Sequence, residues 1–155
     1  MTIEENVAIA LSGGIDSLVL SAICFKVSRK SATKCTMFHA VSAAVPDQAT
    51  ERVRDCAERF QWDLRIVDAN EFSDTNYREN PLNRCFYCKS ALYGTIRAAT
   101  DAAILSGTNK DDLLEFRPGL KAAENFGVRH PFVEADISKR IIRELAPIYG
   151  IAQYA

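Results

Sequence analysis

The sequence lacks the marks of a nucleic-acid binder, a secreted scaffold or a membrane protein. Its 19 basic and 20 acidic side chains leave a net charge of −1, so no basic field exists to draw in a phosphate backbone non-specifically. No apolar run is long enough to span a bilayer, and the N-terminal stretch Met1–Leu11 carries Glu4 and Glu5 where a secretory leader would be basic. The cysteines number five (24, 35, 56, 85, 88), an odd count, and most fall inside regular-looking segments. That usage argues against a disulfide framework and predicts reduced thiols in a cytoplasmic protein. Only seven glycines occur, and neither G-x-x-x-x-G-K-S/T nor G-x-G-x-x-G is among their patterns. The first absence excludes the lysine-bearing phosphate loop, and the second disfavours a dinucleotide fold.

What is present has globular proportions: 48% hydrophobic and 25% charged residues over 155 positions. With no repeat, low-complexity tract or linker, one domain over residues 1–155 is expected. Apolar runs at Val7–Leu11, Cys35–Val41, Leu64–Val67 and Ala102–Leu105 read as buried strands, and Val128–His130 as a short fifth. Helical spacing separates them. It runs from Ile15 to Ile23, through Val53, Cys56, Ala57 and Phe60 after a cap at Asp47, and from Phe86 to Ala99. Pro118 opens another helix that Gly127 stops, and Ser138 caps a last one that Pro147 kinks or ends. Strand-helix alternation predicts an α/β fold, an open parallel five-stranded sheet with helices on both faces. Between the third strand and the next helix lies a polar stretch, Glu71 to Arg84, with a turn at Asn80-Pro81.

Three segments carry chemistry. Ser12-Gly13-Gly14-Ile15-Asp16-Ser17 joins a strand to a helix. There, glycines permit close backbone approach, and the helix N-terminus favours a polyanion. In the second, Cys85-Phe86-Tyr87-Cys88-Lys89 at a helix start, Arg84, Lys89 and the helix dipole favour thiolates for metal, persulfide or redox chemistry. Two cysteines do not complete a metal site, and core packing of Cys88 is the alternative. The third, Ser106 to Asp112, follows the fourth strand at the edge where α/β ligands bind. Gly107 lets a nucleotide lie against backbone, and Asp111 and Asp112 offer oxygen ligands to Mg²⁺ or simply cap a surface loop. Arg117 is a candidate anion fork. His39 and His130 read as strand-end residues with core or edge roles rather than as catalysts.

The hexapeptide resembles the signature of the PP-loop ATP pyrophosphatases, a superfamily with a Rossmann-like adenine nucleotide alpha hydrolase fold. Taken with NPLNRCFYCK, SGTNKDDLLEFRPGLKAAENFGVRHPF and the helix from Ser138 to Gly150, it is similar to their LarE-like branch of sulfur transferases. The resemblance implies ATP and Mg²⁺ as cofactors, adenylation of an acceptor carboxylate or amide, and displacement of AMP by sulfur or nitrogen. It implies a pyrophosphate site at Ser12, Gly13, Gly14, Asp16 and Ser17, with Gly107 and Thr108 near the α-phosphate or ribose. By the same likeness, the backbone of His39, Ala40 and Val41 frames adenine, Lys89 supplies phosphate charge, and Cys85 and Cys88 handle sulfur or hold an iron–sulfur cluster. The family chain continues past the position of Gly150, so this sequence is expected to be either a fragment or a short relative that works on another substrate or with a partner protein supplying a C-terminal half. A homo-oligomer is expected. A nucleotide-binding module without turnover is the alternative, followed by a tRNA thiolase, which the neutral charge disfavours.

Overall fold

A computed structural model gives the architecture. It describes residues 5–42, 45–68, 84–114 and 118–154, with the backbone alone at 84–88 and 118. Among these residues four strands, β1 (Val7–Ala10), β2 (Cys35–Val41), β3 (Asp63–Asp68) and β4 (Ala103–Ser106), run parallel in the order β3-β2-β1-β4. The helices are α1 (Ile15–Ser28), α2 (Asp47–Phe60), α3 (Arg84–Ala99), α4 (Pro118–Asn125), α5 (Pro131–Glu134) and α6 (Lys139–Ile148).

The central strand shows why both faces are covered. Every residue of β1 is buried, and alternation sends its side chains to two different cores. Val7 and Ile9 join Leu18, Met37, Val53 and Ile142 beneath α1, α2 and α6. Ala8 and Ala10 face Phe38, Tyr93, Ile96 and Ile104 beneath α3 and α4. Phe38 is fully enclosed, a burial that contributes about 1.5–3 kcal/mol. At the outside of the described sheet, β3 alternates exposed with half-buried positions, as an edge strand does.

The fifth strand expected at Val128–His130 is reduced to one bridge. Arg129 N–H donates to Ile104 O and Ser106 N–H to Arg129 O, each at 2.9 Å. Gly127, at φ +65°, ends the turn before it, and Pro131 opens α5 immediately after it. That leaves no length for a ladder. Asp47 does not cap α2 either: Pro46 holds that position, and Asp47 lies in the first turn. Ser138 does cap α6, its hydroxyl accepting from Ile141 N–H. No helix among the described residues is long and apolar enough to cross a membrane.

From β1 the chain builds outward through β2 and β3 on one side, and then β4 returns to the other flank of β1. The loops leaving the carboxyl ends of β1 and β4 therefore flank the switch point of the sheet, the crevice where open α/β sheets bind ligands.

Candidate functional site

The loop after β1 occupies one wall of that crevice. Gly13 has φ +95°, and a Cβ there would lie 2.9 Å from Ala49 O in α2. Both the backbone conformation and the close approach of α2 require glycine. Gly14 differs: its φ is −77°, and an added Cβ would meet only Ser12 Oγ, at 3.5 Å. It faces open space just ahead of α1. Ser12 N–H donates to Ser17 Oγ (3.2 Å), Gly14 N–H to Ser12 Oγ (3.3 Å), and Ser17 Oγ to Gly14 O (3.1 Å). The two serines thus tie the loop into a ring around the first turn of α1, whose leading N–H groups have no carbonyl inside the helix. From α2, Arg52 Nε donates to Gly13 O at 3.1 Å.

The loop after β4 forms the opposite wall and touches the first. A Cβ on Gly107 would fall 2.8 Å from Ser17 N and 2.9 Å from Asp16 C, so the two loops pack backbone to backbone. Asn109 is buried and donates to Asp16 Oδ2 at 2.9 Å. Its own Oδ1 accepts from the N–H groups of Asp111 (2.8 Å) and Asp112 (3.2 Å). Asp112 Oδ2 accepts from Asn109 N–H, and Asp111 Oδ2 from Lys139 N–H at the start of α6. Asp112 therefore organises the loop and Asp111 docks α6 against it, while Asp16 is held from the first wall by Asn109.

Asp16 Oδ1 is buried and has no hydrogen-bond partner. Burial pushes its carboxyl above the usual range, against the lowering effects of the Asn109 hydrogen bond and of the Lys139 and Arg143 charges. An orphaned, desolvated carboxylate oxygen beside a polyanion-shaped loop fits the hard-oxygen donor set of Mg²⁺. Lys139, Arg143 and Arg52, together with Asn109, escape sequence reading. They come from three separated segments, α2, the loop after β4 and α6, and nothing in their local sequence singles out these side chains.

His39 is enclosed, with Nδ1–H donating to Leu11 O (2.8 Å) and Nε2 accepting from Thr50 Oγ1 (2.9 Å). It fixes the end of β1 where the loop begins and ties it to α2. Ala40 and Val41 sit half-buried at the carboxyl end of β2. Burial lowers the pKa of His39 and of His130 below the ordinary 6.5. The unfolded chain therefore takes up these protons first. The stability carried by the neutral rings is complete above 6.5 and is lost as pH falls from there through the lowered folded values. We expect the denaturant midpoint to drop between about pH 7 and about pH 5.5, and His39→Gln to flatten the slope. An unchanged slope in that variant would contradict the assignment.

Lys89 lies half-buried in the second turn of α3. The backbone of Cys85 and Cys88 opens α3, their side chains lie outside the described set, and Arg117 lies outside the described residues. Cys24, Cys35 and Cys56 are buried free thiols: burial raises Cys24, and pushes Cys35 to about 12 and Cys56 to about 11. Such thiols do not ligate metals readily. No group of three metal-ligating side chains occurs among the described residues. None of the three described thiols therefore fits an iron–sulfur cluster.

A second concavity, about 450 Å³, lies at the far end of α1 between Phe25, Phe60, Trp62 and Tyr149. Its cations rest on its own rings, Lys26 over Tyr149 and Arg59 over Phe60.

No protein-family model matches the chain. It is 33% identical over 95% of its length to an uncharacterized protein of Synechocystis, covering 55% of that protein. Over 97% of its length it is 31% identical to the pyridinium-3,5-bisthiocarboxylic acid mononucleotide synthase of Lactiplantibacillus plantarum, again covering 55%. The chain spans about half the length of the curated relatives it matches. Among solved structures, the U34-tRNA thiolase NcsA of Methanococcus maripaludis, which carries a [4Fe-4S] cluster, superposes with a TM-score of 0.71 at 16% identity. It is covered over 58% of its length by 97% of this chain.

Proposed function

Because the chain belongs to the PP-loop ATP pyrophosphatase superfamily, we propose that it binds ATP in the crevice between β1 and β4 and cleaves it between the α- and β-phosphates. The β- and γ-phosphates sit on Ser12, Gly13, Gly14 and Ser17, with the first turn of α1 directed at them. Gly107 and Thr108 take the α-phosphate or ribose, and the backbone of residues 39–41 flanks adenine. An acceptor carboxylate or amide oxygen attacks the α-phosphorus, the bond to the β-phosphate breaks, and pyrophosphate leaves with the charge it gains. Donors already aimed at that charge are the main source of rate.

Asp16, through its unpaired oxygen, would hold Mg²⁺, with Asp111 and Asp112 as the further candidates in the adjoining loop, and the ion would supply charge to neutralise the phosphates. Lys89 and Arg117 are candidates for additional charge.

In the second half-reaction sulfur or nitrogen displaces AMP from the acceptor. Likeness to a synthase whose product bears two thiocarboxylates favours sulfur, with Cys85 and Cys88 as the thiols. The observation that carries the whole reading is the loop itself: glycine-shaped, serine-ringed and open at Gly14, at the switch point of the sheet. Incubation with ATP labelled in its α- and γ-phosphates should give AMP and pyrophosphate. Appearance of ADP would refute the class of reaction. A chain that binds ATP tightly and releases nothing would instead be a nucleotide module working with a second protein.

A further inference from the structure

Behind the β4 wall of the crevice lies a chain of three polar side chains. Half-buried His130 places Nδ1 2.5 Å from the hydroxyl of buried Ser106. Ser106 Oγ lies 3.0 Å from Thr108 Oγ1 and also accepts from Thr108 N–H at 3.3 Å. Thr108 stands between the two residues that touch the opposite wall. Gly107 packs on the Ser17 backbone, and Asn109 donates to Asp16.

A hydroxyl donates one hydrogen, and that fixes the arithmetic. With His130 neutral and Nδ1 accepting, Ser106 gives its proton to the ring, so Thr108 must give its proton to Ser106. With His130 protonated, Nδ1–H donates to Ser106, Ser106 donates to Thr108, and the Thr108 proton is released. Ser106 Oγ accepts two hydrogen bonds and donates one in both states, so they differ in which way the hydroxyls point.

We propose that His130 is a positioning residue for the nucleotide: by setting the direction of the Ser106–Thr108 hydroxyl pair, it decides whether Thr108 donates a hydrogen bond to a phosphate oxygen in the crevice. This rests on the reading of the loop as a phosphate site. The charged groups facing the ring are Glu134 one turn along α5 and Asp112 in the turn after β4, both favouring the cation, while burial favours the neutral form and prevails. Arg129, beside the ring in sequence, is ion-paired with Glu134 at 3.1 Å. With Nδ1 as the accepting nitrogen of that neutral ring, the free protein near neutral pH holds Thr108 turned inward, and phosphate binding draws a proton onto His130.

The test is ATP affinity from about pH 8 to about pH 5.5 in the wild type, His130→Asn and Ser106→Ala, with the titration of ATP itself common to all three. We expect the wild type to tighten about tenfold more than either variant across that range, the worth of one hydrogen bond to a charged acceptor. Calorimetry in buffers of different ionisation heat should show proton uptake that His130→Asn abolishes. Variants that track the wild type at every pH overturn the relay and leave the nucleotide site standing. A wild type that binds no ATP at any pH overturns the site, and the relay with it. Should the variants misfold, nitrogen-15 NMR of the wild-type ring decides: Nδ1 must be the unprotonated nitrogen at neutral pH, and the opposite tautomer refutes the proposal.

Discussion

Gly107→Ala should lower ATP affinity by about ten- to a hundredfold and destabilise the fold by about 1–3 kcal/mol. The added methyl would sit 2.8 Å from Ser17 N, 2.9 Å from Asp16 C and 3.0 Å from Ser17 Cα. All three are backbone atoms of a helix start, and they cannot swing aside as a flexible side chain would. Either the β4 loop or the first turn of α1 must retreat, and each move widens the phosphate seat. Retreat also stretches the Asn109–Asp16 bond, now 2.9 Å. Gly14→Ala supplies the contrast. Its φ of −77° suits alanine, and its methyl meets only a serine hydroxyl at 3.5 Å, so stability should hardly move. If phosphates lie over Gly14, affinity should nonetheless fall, because the methyl then fills ligand space. Isothermal titration and a urea melt on both variants separate the two effects. Equal affinity of Gly14→Ala and wild type would place the ligand elsewhere.

How much of this was legible before the structure follows from where each signal is encoded. The loop was legible because strand, glycines and helix are contiguous, and an apolar run ending at Ser12 admits few alternatives. Strand order was not, since nothing local in Ala103–Ser106 says that it returns to the flank of β1. The fifth strand was overread: three apolar-leaning residues satisfy the pattern, yet Gly127 and Pro131 confine them to a single bridge. Asp111 and Asp112 attracted attention as adjacent acids, but their oxygens also bind backbone N–H groups. Asn109, an uncharged residue beside them, makes the contact between the two walls. Its importance comes from a partner 93 positions away, which no local pattern can announce. His39 was read as a strand-end residue with a core or edge role; it is buried, and its bond to the last carbonyl before the loop is visible only in three dimensions.

Asp16→Asn should make the protein more stable and nearly inactive. Burial raises the Asp16 pKa above its ordinary 3.8, so the folded state binds this proton more readily than the unfolded one. The sign follows: the folded state is favoured as pH falls below the raised value, and the ionised carboxylate is a liability at neutral pH. An amide in its place can still accept from Asn109, and it removes the charge that burial opposes. The urea midpoint at neutral pH should rise, and its dependence on pH between the ordinary and the raised value should weaken. Activity should move the other way. The buried, unpartnered Oδ1 is the donor best placed for Mg²⁺, and a neutral amide is a poor ligand for a hard cation. Pyrophosphate release should fall by about 10²–10³-fold, the size of effect seen when a charge-stabilising group is lost from an active site. Higher Mg²⁺ should recover part of it. Such opposition is expected where a strained charge is kept for chemistry. A variant that is both less stable and fully active would show that this carboxylate supports the loop and takes no part in handling the ion.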